Sequence, residues 1–275
     1  STPKPSSAAS DVYKRQNDME DKKMDYKDKD RFFSMAETYN EMIKYVLPQY
    51  DFLQNEAIKS APFKKDDEIT VFDLGAGSGI FLERILSNFP KAKCYWIDYS
   101  TDFMEAAKKR LSAYSDRVEF IITTLQDNLE EKVNTKADLI FSMSAIHHLE
   151  TEEKKVLYKS CYNMLKPSGW FFNCDEMKTL YKDAYINSMK FWVDHVNNAK
   201  SHIPADKLKY YESWTSTFGR WQERNIKHVD TTKVKGDDIH ESFLSQIEWL
   251  KDAGFVNADL FVKYHLWSII GGSKN

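Results

Sequence analysis

The chain is 275 residues long and carries 39 Lys+Arg against 42 Asp+Glu, a formal net charge of −3 with an isoelectric point near 6.2; that balance leaves no electrostatic footprint for nucleic acid or an anionic membrane surface. Three cysteines, Cys94, Cys161 and Cys174, with no C-x-x-C spacing, exclude a disulfide framework and a four-cysteine zinc site and suit a reducing cytoplasm. No apolar run approaches the roughly 20 residues that span a bilayer, no basic stretch followed by an apolar core opens the chain, and the length supports one large domain or a core with an insertion.

Residues 1–10 are small and polar and residues 17–31 are almost wholly charged, so 1–30 read as a disordered tail that cannot bury enough apolar surface to order itself. From Phe32 the apolar residues recur at spacings of three and four through Leu47, which predicts a helix ended by Pro48. A second helix is expected over 51–60. The period then changes: residues 69–74 form a β-branched run that leads straight into glycines. Strands at 92–97, 118–122, 137–142 and 170–174 follow, alternating with helices at 80–88, 100–113 and 151–165 and preceded at 167–169 by a Pro-Ser-Gly turn. Strands and helices alternating at this length predict an α/β fold with a doubly wound, mostly parallel sheet. Residues 176–240 break the alternation with nine aromatics between Tyr181 and Trp221, largely at helical spacing. A helix at 241–253 and two apolar runs, 258–264 and 266–270, close the chain as an antiparallel hairpin and bring the sheet to seven strands. The expected organisation is therefore a core of 31–175 and 241–275 with a helical acceptor lid, 176–240, inserted after the fifth strand.

Three of the nine glycines, Gly75, Gly77 and Gly79, fall within five residues between the first strand and its helix. Glycine there permits positive φ and lets backbone N–H groups approach a ligand closely. Asp98 ends the second strand 25 residues after Asp73, at the position where a carboxylate accepts ribose hydroxyls; the alternative is that it caps the helix beginning near Ser100. Asp73, directly before the loop, requires a partner if buried. A diphosphate dinucleotide would want a third glycine where Ile80 stands, and an acidic loop suits a pyrophosphate poorly. A ligand with positive charge near Asp73 and a ribose near Asp98 fits better, and S-adenosylmethionine (SAM) is such a molecule.

The segment Val71-Phe-Asp-Leu-Gly-Ala-Gly-Ser-Gly79 resembles the first signature of class I SAM-dependent methyltransferases, Trp96-Ile-Asp-Tyr-Ser100 the second, residues 138–149 the region of their fourth strand and residues 165–170 the turn into the fifth. The resemblance implies that Gly75, Ala76, Gly77 and Gly79 wrap the amino-acid portion of SAM, that Asp73 anchors the loop or the ammonium, and that Asp98 takes the ribose. Tyr99, Leu125 and Gln126 would border the adenine, with no acid at the usual place after the third strand, and Ser142 would lie beside the ligand. Residues 31–39 resemble the N-terminal helix that closes over SAM, with Tyr39 bonding its carboxylate and Arg31 pairing there or with the substrate; an ordinary amphipathic helix is the alternative.

His147 and His148 invite a metal or general-base reading, although adjacent residues point different ways and cannot easily bind one metal. His147 is a candidate catalytic residue or a structural one, and Asp175, at the fifth strand's end, is either a base or a helix cap. Tyr185, Trp192 and Trp214 are candidate substrate contacts on an aromatic stripe that equally reads as core. His195, His202, His228 and His240 lack i, i+4 partners of ligand type, which argues against a metal site. The function expected is cytoplasmic methyl transfer from SAM to a small-molecule O, N, S or C nucleophile, releasing S-adenosylhomocysteine. The alternatives are a tRNA-modifying or carboxy-SAM-forming enzyme and a non-catalytic SAM-binding subunit. Neither nucleic acid nor a membrane is expected as partner, and a homodimer is compatible with the sequence.

Overall fold

A computed structural model of the chain describes residues 35–275; the expected tail, Arg31 and the first turn of the expected N-terminal helix lie outside these residues. Helices α1 (Met35–Val46) and α2 (Tyr50–Ser60) precede the sheet. Then β1 (Thr70–Leu74), α3 (Ile80–Asn88), β2 (Lys93–Asp98), α4 (Thr101–Arg110), β3 (Val118–Ile122), a single turn α5 (Leu129–Lys132), β4 (Ala137–Met143), α6 (Thr151–Met164) and β5 (Leu165–Glu176) follow in order. The insertion contributes α7 (Lys182–Ala199) and α8 (Leu208–Gln222), and the chain closes with α9 (Phe243–Ala253), β6 (Val256–Tyr264) and β7 (Trp267–Ser273).

The seven strands lie in the order β3-β2-β1-β4-β5-β7-β6. Strands β1 to β5 are parallel, and β7 runs antiparallel between β5 and β6. Alternate residues of the central strands fill the two faces: Val71, Leu139, Phe141 and Phe172 enter one core, and Phe72, Leu74, Ile140 and Phe171 the other. Burial on both faces is why these strands read as continuous apolar runs rather than as alternating ones.

Two strand boundaries differ from the sequence expectation. Strand β5 begins at Leu165 and absorbs the Pro-Ser-Gly turn as a bulge, since the register with β4 jumps between the Ala137–Leu165 and Leu139–Trp170 pairs and Ser168 takes a φ of 61°. Strand β7 continues through Gly271 and Gly272 to Ser273. Gly271 does not break the strand because a Cβ there would lie 2.5 Å from the Phe172 ring, so the missing side chain makes room for that aromatic.

The insertion is held to the core by aromatics. Trp192 of α7 donates its indole N–H to the Val46 carbonyl at 2.8 Å. Its ring meets Trp221 at 4.6 Å and Trp267 of β7 at 5.2 Å, centroid to centroid. The insertion also meets the turn after β4, where Ile239 N–H donates to His147 O at 2.7 Å.

Candidate active site

The turn from β1 into α3 takes positive φ at Gly75, Gly77 and Gly79 (70°, 49° and 76°). At Gly75 a Cβ would meet the Ala145 Cβ at 2.3 Å, so no other residue fits where the loop passes the end of β4. The loop is pinned by backbone and side chain together. Gly75 N–H donates to Ile97 O at 2.8 Å, the Trp96 indole to Gly77 O at 2.7 Å, and Gly77 N–H to Asp98 Oδ2 at 2.9 Å. Asp98 Oδ1 accepts from Ser100 N–H at 2.9 Å. The cap of α4 is Ser100, whose side chain accepts from Phe103 N–H, so Asp98 braces the glycine loop and leaves the helix terminus to its neighbour.

Beside this loop is a cavity of about 310 Å³. Asp73, Gly75, Ala76 and Gly77 line it from the first strand, Asp98 and Tyr99 from the second, Leu125 and Gln126 from beyond the third, and Tyr39 from α1. Asp73 is 1 % exposed, and its Oδ2 has no hydrogen-bond partner among the described residues. Burial, reinforced by the Asp98 charge, pushes its pKa up to about 8. Burial also raises Asp98, against the lowering effect of the N–H groups it accepts. A buried, unpartnered carboxylate facing a glycine cradle fits a ligand that brings an ammonium group, which a SAM-sized molecule would do.

Other expected residues lie elsewhere. Gly79 sits behind the loop as the N-cap of α3, against Ala107 and Leu111. Ser142 is fully buried and donates its hydroxyl to Leu74 O at 2.9 Å, joining β4 to β1. His147 is also buried: its Nδ1 is 2.6 Å from Asp175 Oδ1, and its backbone N–H donates to Asp175 Oδ2 at 2.8 Å. Burial alone would lower the pKa of His147, but the Asp175 and Glu176 carboxylates outweigh it and raise the pKa to about 10. Asp175 and His147 thus form a buried ion pair that fixes the turn after β4, and neither lines the cavity. Trp192 and Trp214 belong to the aromatic cluster of the insertion. Tyr185 is buried and lines a second, polar cavity of about 340 Å³.

Of the adjacent histidines that invite a metal or general-base reading in the sequence, His148 is the one at the cavity. His148 lines the first cavity with its side chain 61 % exposed, and its Nδ1 lies 3.2 Å from Asp238 Oδ1. Tyr50, Phe103 and residues 143–145 complete the wall. His147 and His148 share a short 3₁₀ turn, Ile146–His148, in which consecutive side chains diverge by about 120°, so one ring is buried and the other faces the cavity. Asp238 and His240 stand two apart in the irregular segment before α9 and both line the second cavity.

A family model described as a methyltransferase domain matches residues 72–171. The chain is 31% identical over 192 residues to malonyl-[acyl-carrier protein] O-methyltransferase 2 of Ilyobacter polytropus, covering 68% of each protein. It is 23% identical over 221 residues to carboxy-S-adenosyl-L-methionine synthase 1 of Yersinia pseudotuberculosis, covering 77% of this chain and 88% of that one. Among solved structures, an O-methyltransferase family protein from Burkholderia thailandensis superposes with a TM-score of 0.57 at 18% identity, covering 87% of this chain and 59% of that chain. At that identity the likeness concerns the fold.

Proposed function

Since the chain belongs to the class I SAM-dependent methyltransferases, we propose that it methylates a small polar acceptor held on the His148 side of the cofactor cavity. The observation that carries this reading is the pairing of His148 with Asp238. The imidazole lines the cavity, and a carboxylate 3.2 Å away orients it, which is the arrangement of a proton acceptor and its orienting group. On this reading Asp73 meets the cofactor's ammonium, Asp98 its ribose hydroxyls, Tyr39 its carboxylate, and Tyr99, Leu125 and Gln126 its adenine. SAM, when bound, supplies a methyl group on a sulfonium centre. The chain's own part is to align the acceptor, to exclude water beneath α1 and the 176–240 insertion, and, for a hydroxyl acceptor, to receive its proton on His148.

The likeness to a malonyl-[acyl-carrier protein] O-methyltransferase favours an acceptor with a free carboxylate. A second reading, formation of carboxy-SAM, is favoured by the 88% of the Yersinia synthase that the chain spans. Calorimetric titration with SAM and S-adenosylhomocysteine comes first, and binding of neither would end both readings. Mass spectrometry of the copurified ligand then separates them, because carboxy-SAM is heavier than SAM by a carboxylate. Release of S-adenosylhomocysteine with a panel of short-chain carboxylates and their thioesters, amines and phenols identifies the acceptor class. Tight SAM binding with no turnover across the panel would instead favour a non-catalytic SAM-binding subunit.

A further inference from the structure

Next to the cofactor cavity, a buried carboxylate and a half-buried one lack a lysine or arginine partner. Glu176 ends β5 and is 6 % exposed, and Asp238 comes from the irregular segment before α9. The only side-chain ion-pair partners of these two acids among the described residues are histidines: His240 for Glu176, and His147 and His148 for Asp238. His147 is already matched by Asp175 at 2.6 Å. Lys154, the buried ammonium of this region, donates to the Leu149 and Ile239 carbonyls. Glu176 and Asp238 therefore face imidazoles alone, in a largely enclosed setting where a carboxylate is costly unless a cation or hydrogen-bond donor meets it.

The geometry points to a divalent first-row metal site formed by Glu176, Asp238 and His240. One donor atom from each lies within 4.8 Å of the others, and His240 Nε2 is 2.9 Å from Glu176 Oε2. Metal bonds of about 2.0–2.2 Å to imidazole nitrogen and carboxylate oxygen require donor atoms roughly 3–3.6 Å apart, so small side-chain rotations complete the set. The second nitrogen of His240, Nδ1, lies 2.6 Å from the Tyr185 hydroxyl. With the proton on Nδ1, donated to Tyr185 Oη, the Nε2 lone pair faces the carboxylates, and two acceptors then point at one spot that only a cation satisfies. This is how a hydrogen bond on the far side of a metal-binding imidazole fixes its tautomer. Asp238 and His240 also line the polar cavity of about 340 Å³, which leaves coordination positions open to water or an oxygen ligand. One imidazole with two carboxylates suits Zn²⁺ or Mn²⁺ better than Mg²⁺. The ion's affinity is a property of these side chains and does not depend on which acceptor is methylated.

The rival arrangement places a proton between His240 and Glu176 and binds no metal. Elemental analysis of the purified full chain, followed by calorimetric titration of chelator-stripped protein with ZnCl₂ and separately with MnCl₂, separates the two. The expected result is one ion per chain, with affinity lost by about 100-fold or more in His240→Ala and by about 10–100-fold in Tyr185→Phe, which removes only the orienting hydroxyl. SAM titration of each variant verifies folding, since neither residue lines the cofactor cavity. Should His240→Ala fail to fold, Tyr185→Phe and Asp238→Asn carry the test. Wild-type protein that takes up neither ion, or variants that bind as tightly as wild type, would overturn the site.

Discussion

Asp98 carries two duties on one carboxylate. Its Oδ2 accepts from Gly77 N–H and its Oδ1 from Ser100 N–H, each at 2.9 Å, while the remaining lone pairs face the cavity. Asp98→Ala should therefore weaken SAM binding by at least about tenfold, or 1.4 kcal/mol, and also lower stability by roughly 1–3 kcal/mol because two loop amides lose their acceptor. Calorimetry beside a thermal melt distinguishes the effects, and a lowered melting temperature with unchanged SAM affinity would make Asp98 a loop brace alone. The adjacent histidines should separate just as sharply. His147→Ala strands Asp175 as a buried charge and should cost roughly 3–5 kcal/mol of stability. His148→Ala, at an exposed ring, should leave stability nearly unchanged. If His148 receives the acceptor's proton, the same variant should lower kcat by about 100-fold or more at nearly constant SAM affinity. A denaturant melt and a turnover assay on the same two proteins decide it, and equal loss of activity in both would remove the distinction.

At the scale of elements, the insertion depends on a few aromatics rather than on its helices alone. Trp192 contacts Trp214, Phe218, Trp221 and Trp267 and bonds Val46 O across 146 residues of chain. Trp192→Ala should cost roughly 3–5 kcal/mol in urea unfolding. The folded fraction should still bind SAM normally, because Trp192 lies outside the cofactor cavity; weakened SAM binding would mean that the insertion shapes that cavity. The helical spacing of these aromatics was legible in the sequence, but whether they face core or pocket was not, since that depends on where β7 and α1 lie. The strands were legible from their β-branched runs. Their ends were obscured at Pro167 to Gly169 and at Gly271, where residues that normally end strands are accommodated by a bulge and by the Phe172 ring. The acids at the ends of β1 and β2 and the glycines between them were legible because local backbone needs dictate them. Tyr50 and Phe103 were not, because their places on the cavity wall depend on tertiary packing, and the sequence offered His147 and His148 as a pair without showing which ring faces the cavity.

On the scale of the whole molecule, the parallel strands deliver their C-terminal ends to one edge, and four acids collect there: Asp73, Asp98, Asp175 and Glu176. The His147 imidazolium holds Asp175 ionised. Asp73 is the opposite case, raised from 3.8 to about 8. A carboxyl with a raised folded-state pKa contributes stability that is fully present below its unfolded value and is lost as pH rises through its folded one. For Asp73 in the ligand-free protein this loss falls between about pH 4 and pH 8. Binding an ammonium group reverses the balance, because the carboxyl must ionise to form the pair. SAM affinity should then rise with pH by up to about tenfold per unit from pH 6 and level off near pH 8, where Asp73 is ionised and an α-amino group begins to lose its own proton. Close to one proton should be released per SAM bound at pH 6.5, measured by calorimetry in two buffers of different ionisation heat. The rise in melting temperature caused by SAM should grow over the same interval. Asp73→Asn should flatten both profiles and release no proton. Affinity that stays constant from pH 6 to pH 8 in the wild-type protein would show that Asp73 remains protonated with the cofactor bound, and that the ammonium is held by another group.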